Sequence, residues 1–142
     1  MTKQKKSERE SEFNMNKIAE FFSQSTNKAK EIVDDKEKTK KVLQEAMDLA
    51  EKIKGPLEKV WDILKLMFWI VSDWILGKYK AVPIGSIIAI IAALIYLISP
   101  IDAIPDPIPV IGYIDDVFVI GLVFAQVRAD LEKYEIWKEA NS

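Results

Sequence analysis

Between Ala81 and Ile101 the chain runs for 21 residues without a charge, AVPIGSIIAIIAALIYLISPI. That is well beyond the 4–8 residues of a usual buried strand, so the run reads as a helix. A helix apolar on every side has to be covered all round, by lipid or by protein. Its length is about what crossing a hydrocarbon core of roughly 30 Å requires. A chain of 142 residues with a charged N-terminal half promises thin protein cover. The expectation is therefore a membrane-embedded helix, with a fully buried helix in a soluble bundle as the competing reading.

The run leads into Tyr96–Val119, YLISPIDAIPDPIPVIGYIDDVFV, which holds four of the six prolines together with four aspartates. Pro105, Pro107 and Pro109 forbid a regular helix and push Ile104, Asp106 and Ile108 towards extended geometry. Ser99-Pro100-Ile101-Asp102 fits a helix start, with Ser99 as N-cap and Pro100 at the first helical position. Gly112 permits a sharp turn, and Asp115 or Asp116 can cap a following helix. That helix is expected from Asp115 to Glu139. Its first part, VFVIGLVFAQV (117–127), is uncharged, and from Arg128 it turns amphipathic with Leu131, Tyr134 and Trp137 on one side. Gly85, Ala89 and Ala93 recur every four residues, as do Gly121, Ala125 and Ala129. Such registers let helix backbones approach closely. An antiparallel hairpin would pair Ala93 with Gly121, Ala89 with Ala125 and Gly85 with Ala129.

Upstream, residues 1–11 lack apolar periodicity and are expected to be a disordered tail. A weak helix is expected from Glu12 to Asp34, with Ile18, Phe21, Phe22, Ala29, Ile32 and Val33 on its stripe. A second, Lys36–Lys54, carries Val42, Leu43, Ala46, Leu49, Ala50 and Ile53 on one face, and Gly55-Pro56 stops it. A third, Pro56–Leu76, is heavily apolar, with Glu58, Lys59, Asp62, Lys65, Ser72 and Asp73 as its polar face. It fits either a bundle core or a membrane interface, where Trp61, Trp69 and Trp74 would sit at headgroup depth. Residues 1–80 hold 17 basic and 14 acidic residues, and residues 81–142 hold 3 and 8. The lysine excess favours a cytoplasmic N-terminus. The mixed-charge run 28–41 has no interleaved aromatic residue and reads as a solvated face rather than a nucleic-acid site.

The chain has no cysteine and no histidine. That removes disulfides, thiolate nucleophiles, Cys/His zinc sites and histidine-based triads. The basic N-terminus is followed by no apolar core or small-residue cleavage site, unlike a secretory signal. The remaining candidates for chemistry are Asp102, Asp106, Asp115 and Asp116. Carboxylates near a bilayer centre cost about 3 kcal/mol each, so they seek partners or mark ion paths. Clustered oxygens could hold Mg2+ or Ca2+, though the spacing is not that of an EF-hand. Capping and turn formation account for the same four residues.

The residues Tyr96, Ser99, Pro100, Asp102, Pro105, Asp106, Pro109, Gly112, Tyr113, Asp115 and Asp116 closely resemble the signature of the YkvA-like family, a domain of unknown function. Its outline is aromatic-Leu-x-Ser-Pro-Ile-Asp-x-Ile-Pro-Asp, then Ile-Pro-x-x-Gly-Tyr-x-Asp-Asp. Pro107 departs from it, where a bulky apolar residue is usual. The resemblance spans roughly Lys80 to Leu131 and implies a membrane-associated helical domain, with no substrate, cofactor or reaction. The reading is an all-α protein: a tail (1–11), an amphipathic helical region (12–80) and an apolar antiparallel hairpin with a proline- and aspartate-rich connector (81–142). It is expected to be multi-pass or re-entrant in the membrane, to act by interaction or scaffolding rather than catalysis, and to use no cofactor. Its partners would be the bilayer and a protein or a second copy, not nucleic acid or a small-molecule substrate. The alternatives are a soluble helical binding module and a carboxylate-based metal or ion site.

Overall fold

Polar caps and a single glycine set where the helices break. Asp35, in extended conformation, accepts the Lys38 amide at 3.1 Å and starts a helix. Beside it the Thr39 hydroxyl donates to the Ile32 carbonyl at 2.8 Å, closing the end of the preceding helix. Gly77, at φ +74, turns the chain out of the third helix through a left-handed conformation that glycine adopts without strain. The Lys78 amide then donates to the Asp73 carbonyl at 2.9 Å.

The computed structural model describes residues 2–99 and 114–141, with side-chain surroundings over 15–99 and 116–141. Among the described residues there is no strand. The helices are α1 (Thr2–Ile32), α2 (Lys36–Lys52), α3 (Trp61–Ile75), entered through a 3-10 turn at Glu58–Val60, α4 (Ile84–Ile98) and α5 (Ile114–Ala140). Three boundaries differ from expectation. Helix α1 begins at Thr2, taking in the residues read as a tail. Lys, Gln, Glu and Arg extend a helix well once a packed segment further along has nucleated it. Helix α3 starts at Trp61, because the chain after Gly55-Pro56 first makes turns, with Glu58 bonded back to Gly55. Ser99, read as an N-cap, instead closes α4 as its C-cap, in the extended geometry a residue before proline favours. The rest of the connector, 100–113, lies outside the described residues.

Helix α4 is the hub of the fold. It packs against α1, α2, α3 and α5. Ile90, Ile91, Ala92, Ala93 and Leu94 are consecutive and all buried, so more than a full turn is covered on every side. The thin cover inferred from composition was therefore an underestimate: amphipathic α1 and α2 supply the cover that lipid was expected to give. Each buried Ile, Leu or Met contributes about 1.5–3 kcal/mol, and the stripe of α1 ends here too, with Phe22 against the ring of Tyr96 at 6.5 Å.

The 15 residues of α4 rise about 22 Å, short of the roughly 30 Å of a bilayer core. Among the described residues no helix is long and apolar enough to cross a membrane. The uncharged run 81–101 does not form one helix, because Pro83 begins α4 and Ser99 ends it.

Candidate functional site

Where α3 stops and α5 ends, polar side chains are gathered in the interior. Asp73 sits on the last turn of α3 and is buried, not on the polar face assigned to it from the sequence. The wholly buried Tyr134 donates its hydroxyl proton to Asp73 Oδ2, and Lys138 Nζ donates to the same oxygen at 3.0 Å. Tyr79, just past Gly77, packs its ring against Tyr134 at 5.1 Å and Trp137 at 4.9 Å. At the same level the Ser86 hydroxyl donates to Asp130 Oδ2, tying the first turn of α4 to α5.

The electrostatics of this cluster hold each group in one state. Burial alone would push the Asp73 carboxyl up. The hydrogen bonds from Tyr134 and Lys138 and the charges of Lys138 and Lys78 outweigh it, so the group lies below its ordinary value of 3.8. The Tyr134 phenol is pushed up, first by burial and then by its bond to the Asp73 carboxylate. Tyr79 is raised by burial and by the negative charge of Asp130. At neutral pH the cluster is thus a carboxylate held by a neutral phenol and an ammonium. Tyr134 and Lys138 of α5 donate to one carboxylate oxygen of α3, which ties the two helices together. The sequence signal for it was available: Asp73 is the only charged residue between Lys65 and Lys78.

The opposite end of α5 is built differently. Phe118 and Leu122 stand on its uncharged first half at 36 % and 48 % exposure. With Val119 and Val123 they form one wall of a groove of about 240 Å³, and Met15, Ile18, Ala19 and Phe22 of α1 form the other. Ser23 and Gln126 are its polar lining residues, and among the described residues no charged side chain lines it.

The small-residue registers do not pack as expected. A methyl group placed on Gly85 or Gly121 would meet nothing within 4 Å. Ala125 and Ala129 are exposed, Ala89 is half-buried, and Ala93 alone of the six is fully buried. Helices α4 and α5 nevertheless meet close to the expected register, since Ser86 and Asp130 each follow a residue of the expected Gly85–Ala129 pair. It is the adjoining faces that touch. Large side chains such as Ile87, Ile90, Val123 and Val127 fill the core instead, so close backbone approach has no role.

Of the metal candidates, Asp102 and Asp106 lie outside the described residues, as does the side chain of Asp115. Asp116 is buried at the start of α5. Among the described residues no three acidic side chains gather as a metal site would require. Tyr96 is buried in the core. Pro100, Pro105, Pro109, Gly112 and Tyr113 again lie outside.

Comparison with known proteins bears on the α4–α5 unit. A family described as "Protein of unknown function (DUF1232)" matches residues 86–122, from the first turn of α4 into the uncharged half of α5. The "Uncharacterized membrane protein YkvA" of Bacillus subtilis is 35 % identical over 71 residues, which is 50 % of this chain and 67 % of that protein. The chain belongs to the YkvA-like, DUF1232 family. No solved structure matches it. The matched segment carries Ser86, Phe118 and Leu122 but stops short of Asp73, Tyr134 and Lys138. In this YkvA-like chain the Asp73 cluster thus joins the matched helices to helices outside the match.

Proposed function

We propose that this YkvA-like protein works at the membrane surface as an interaction or scaffolding element, without catalysis, meeting the bilayer through the uncharged end of α5. The observation that carries this reading is the exposure of Phe118 and Leu122 on eleven residues free of charge, 117–127. Apolar side chains lying in the headgroup boundary bind lipid in proportion to the area they bury. Eleven residues of helix rise about 16 Å, which suits lying in the interface or re-entering it rather than crossing. The relative's description as a membrane protein supports the reading. So does the Asp73 cluster, whose carboxylate is taken up by Tyr134 and Lys138 as a tie between helices. The lysine excess before residue 81 favours the cytoplasmic face.

Flotation of the full chain with lipid vesicles tests it. The wild type should float and resist carbonate extraction only partly, while Phe118→Asp/Leu122→Asp should stay at the bottom of the gradient with its helix content intact. Equal flotation of the two proteins would overturn the reading. A second reading, a helical binding module that works without lipid, is favoured by the all-round protein cover of α4. It predicts a monodisperse chain without detergent and no flotation of the wild type.

A further inference from the structure

Among the described residues the two most exposed large apolar side chains are Ile136, at 69 %, and Leu76, at 61 %. They occupy two different faces, and the surroundings of each are opposite in charge. Ile136 projects from the outer side of α5 among Glu132, Glu135 and Glu139, which share one helix face at spacings of three and four. Arg128 pairs with Glu132 at 3.0 Å, and Lys133 stands one turn before Ile136, so the face is predominantly rather than wholly acidic. Leu76, at the end of α3, lines a groove of about 460 Å³ against α2 together with Leu43, Met47 and Ile75; Lys36 and Lys40 line it too, with Glu37 the acid among its described lining residues.

We infer that this groove receives the Ile136 face of a second copy of the chain. An apolar residue ringed by carboxylates matches an apolar groove rimmed by ammonium groups, and opposite potentials steer and register such a contact. Among the described residues α2 and α5 do not touch one another. Both faces lie at the same end of the bundle. Leu76 follows Asp73 by less than one turn, and Asp73 is bonded to Tyr134 and Lys138, which bracket Ile136. The contact joins unlike surfaces, so two copies exchange it reciprocally about a two-fold axis or pass it on head-to-tail as a ring or a row. It uses nothing of the Phe118–Leu122 surface and stands whether or not that surface meets lipid.

Sedimentation equilibrium of the full chain in a mild non-ionic detergent, at low and high salt, tests the contact. The wild type should show multi-copy masses at low salt that fall as salt screens the charges. Ile136→Asp, Glu135→Lys/Glu139→Lys and Lys36→Glu/Lys40→Glu should each weaken association by roughly tenfold or more. The four-residue charge swap in one chain should restore it, with circular dichroism confirming that every variant keeps its helices. A wild type that is monomeric throughout overturns the inference, including the case where a lysine-rich peptide binds the α5 face instead. So does association that the charge reversals leave unchanged or the swap fails to rescue.

Discussion

At the end of the bundle where α3 stops, charged and phenolic side chains are buried and bonded to one another; at the end where α5 begins, apolar side chains stand in the open. Asp73 and Tyr134 give up water and recover its hydrogen bonds internally, with Lys138 reaching in from a half-buried position. Phe118, Leu122 and Met15 keep their contact with the surroundings, with Ser23 and Gln126 as the polar residues beside them. Physical chemistry assigns the two arrangements different consequences. A satisfied buried network fixes the relative placement of helices. Apolar area left exposed adds little to folding and is the kind of surface that other surfaces can cover.

The largest expected effect comes from breaking the network. Asp73→Ala should lower stability by about 3 kcal/mol, since it leaves the Tyr134 hydroxyl buried without an acceptor. Lys138, partly exposed, regains water and adds less. Phe118→Asp/Leu122→Asp should change stability by less than about 0.5 kcal/mol, as surface substitutions usually do. Urea midpoints of the two variants measure the contrast. The reverse ranking would show that the open end is a folding element.

Acid probes the same network without mutation. The folded Asp73 carboxyl titrates below its unfolded value of 3.8, so its contribution is whole above that pH and is lost as pH falls through the folded value. Tyr134 works in the other direction. Its folded value lies above the unfolded 10.0, so its contribution is whole below about pH 10 and is lost as pH rises beyond it. Urea unfolding followed at stepped pH should show acid destabilisation that Asp73→Asn reduces. An unchanged acid slope in that variant would place the sensitive carboxylate elsewhere.

How far this contrast could be read in advance depended on the kind of signal. Periodicity located α2 to within two residues at its end, and placed Leu131, Tyr134 and Trp137 on the inner side of α5. It misjudged α4, because a run apolar on every side states that cover is needed without stating whether lipid or α1 and α2 provide it. Asp73 was assigned to a solvated face since its helical phase allows that, and only its tertiary neighbours, 61 and 65 residues away, reverse the assignment. No local pattern encodes such a partner. The four connector aspartates drew attention through density, yet three of their side chains lie outside the described residues.

Ser86→Ala tests the smaller tie between the matched family segment and the charged end. Its hydroxyl bonds a half-buried carboxylate, so the loss should be about 1 kcal/mol, a third of that for Asp73→Ala. A loss as large as that for Asp73 would mean that the two ties form a single cooperative unit, which a double-mutant cycle would show as coupling.

The last effect carries the opposite sign. Gly121 lies inside α5, where a methyl group would meet nothing within 4 Å. Alanine there should stabilise the chain by about 0.8–1.0 kcal/mol, through helix propensity alone. Gly121 is also on the open end, between Phe118 and Leu122 in sequence and four residues before Ala125. If that stripe of small residues served close backbone approach, the same methyl would obstruct it and Gly121→Ala would lose stability or flotation. A gain in the urea midpoint with flotation unchanged therefore separates the two ends cleanly: contact at the charged end depends on atoms in fixed places, whereas contact at the apolar end depends on exposed area and tolerates an added methyl.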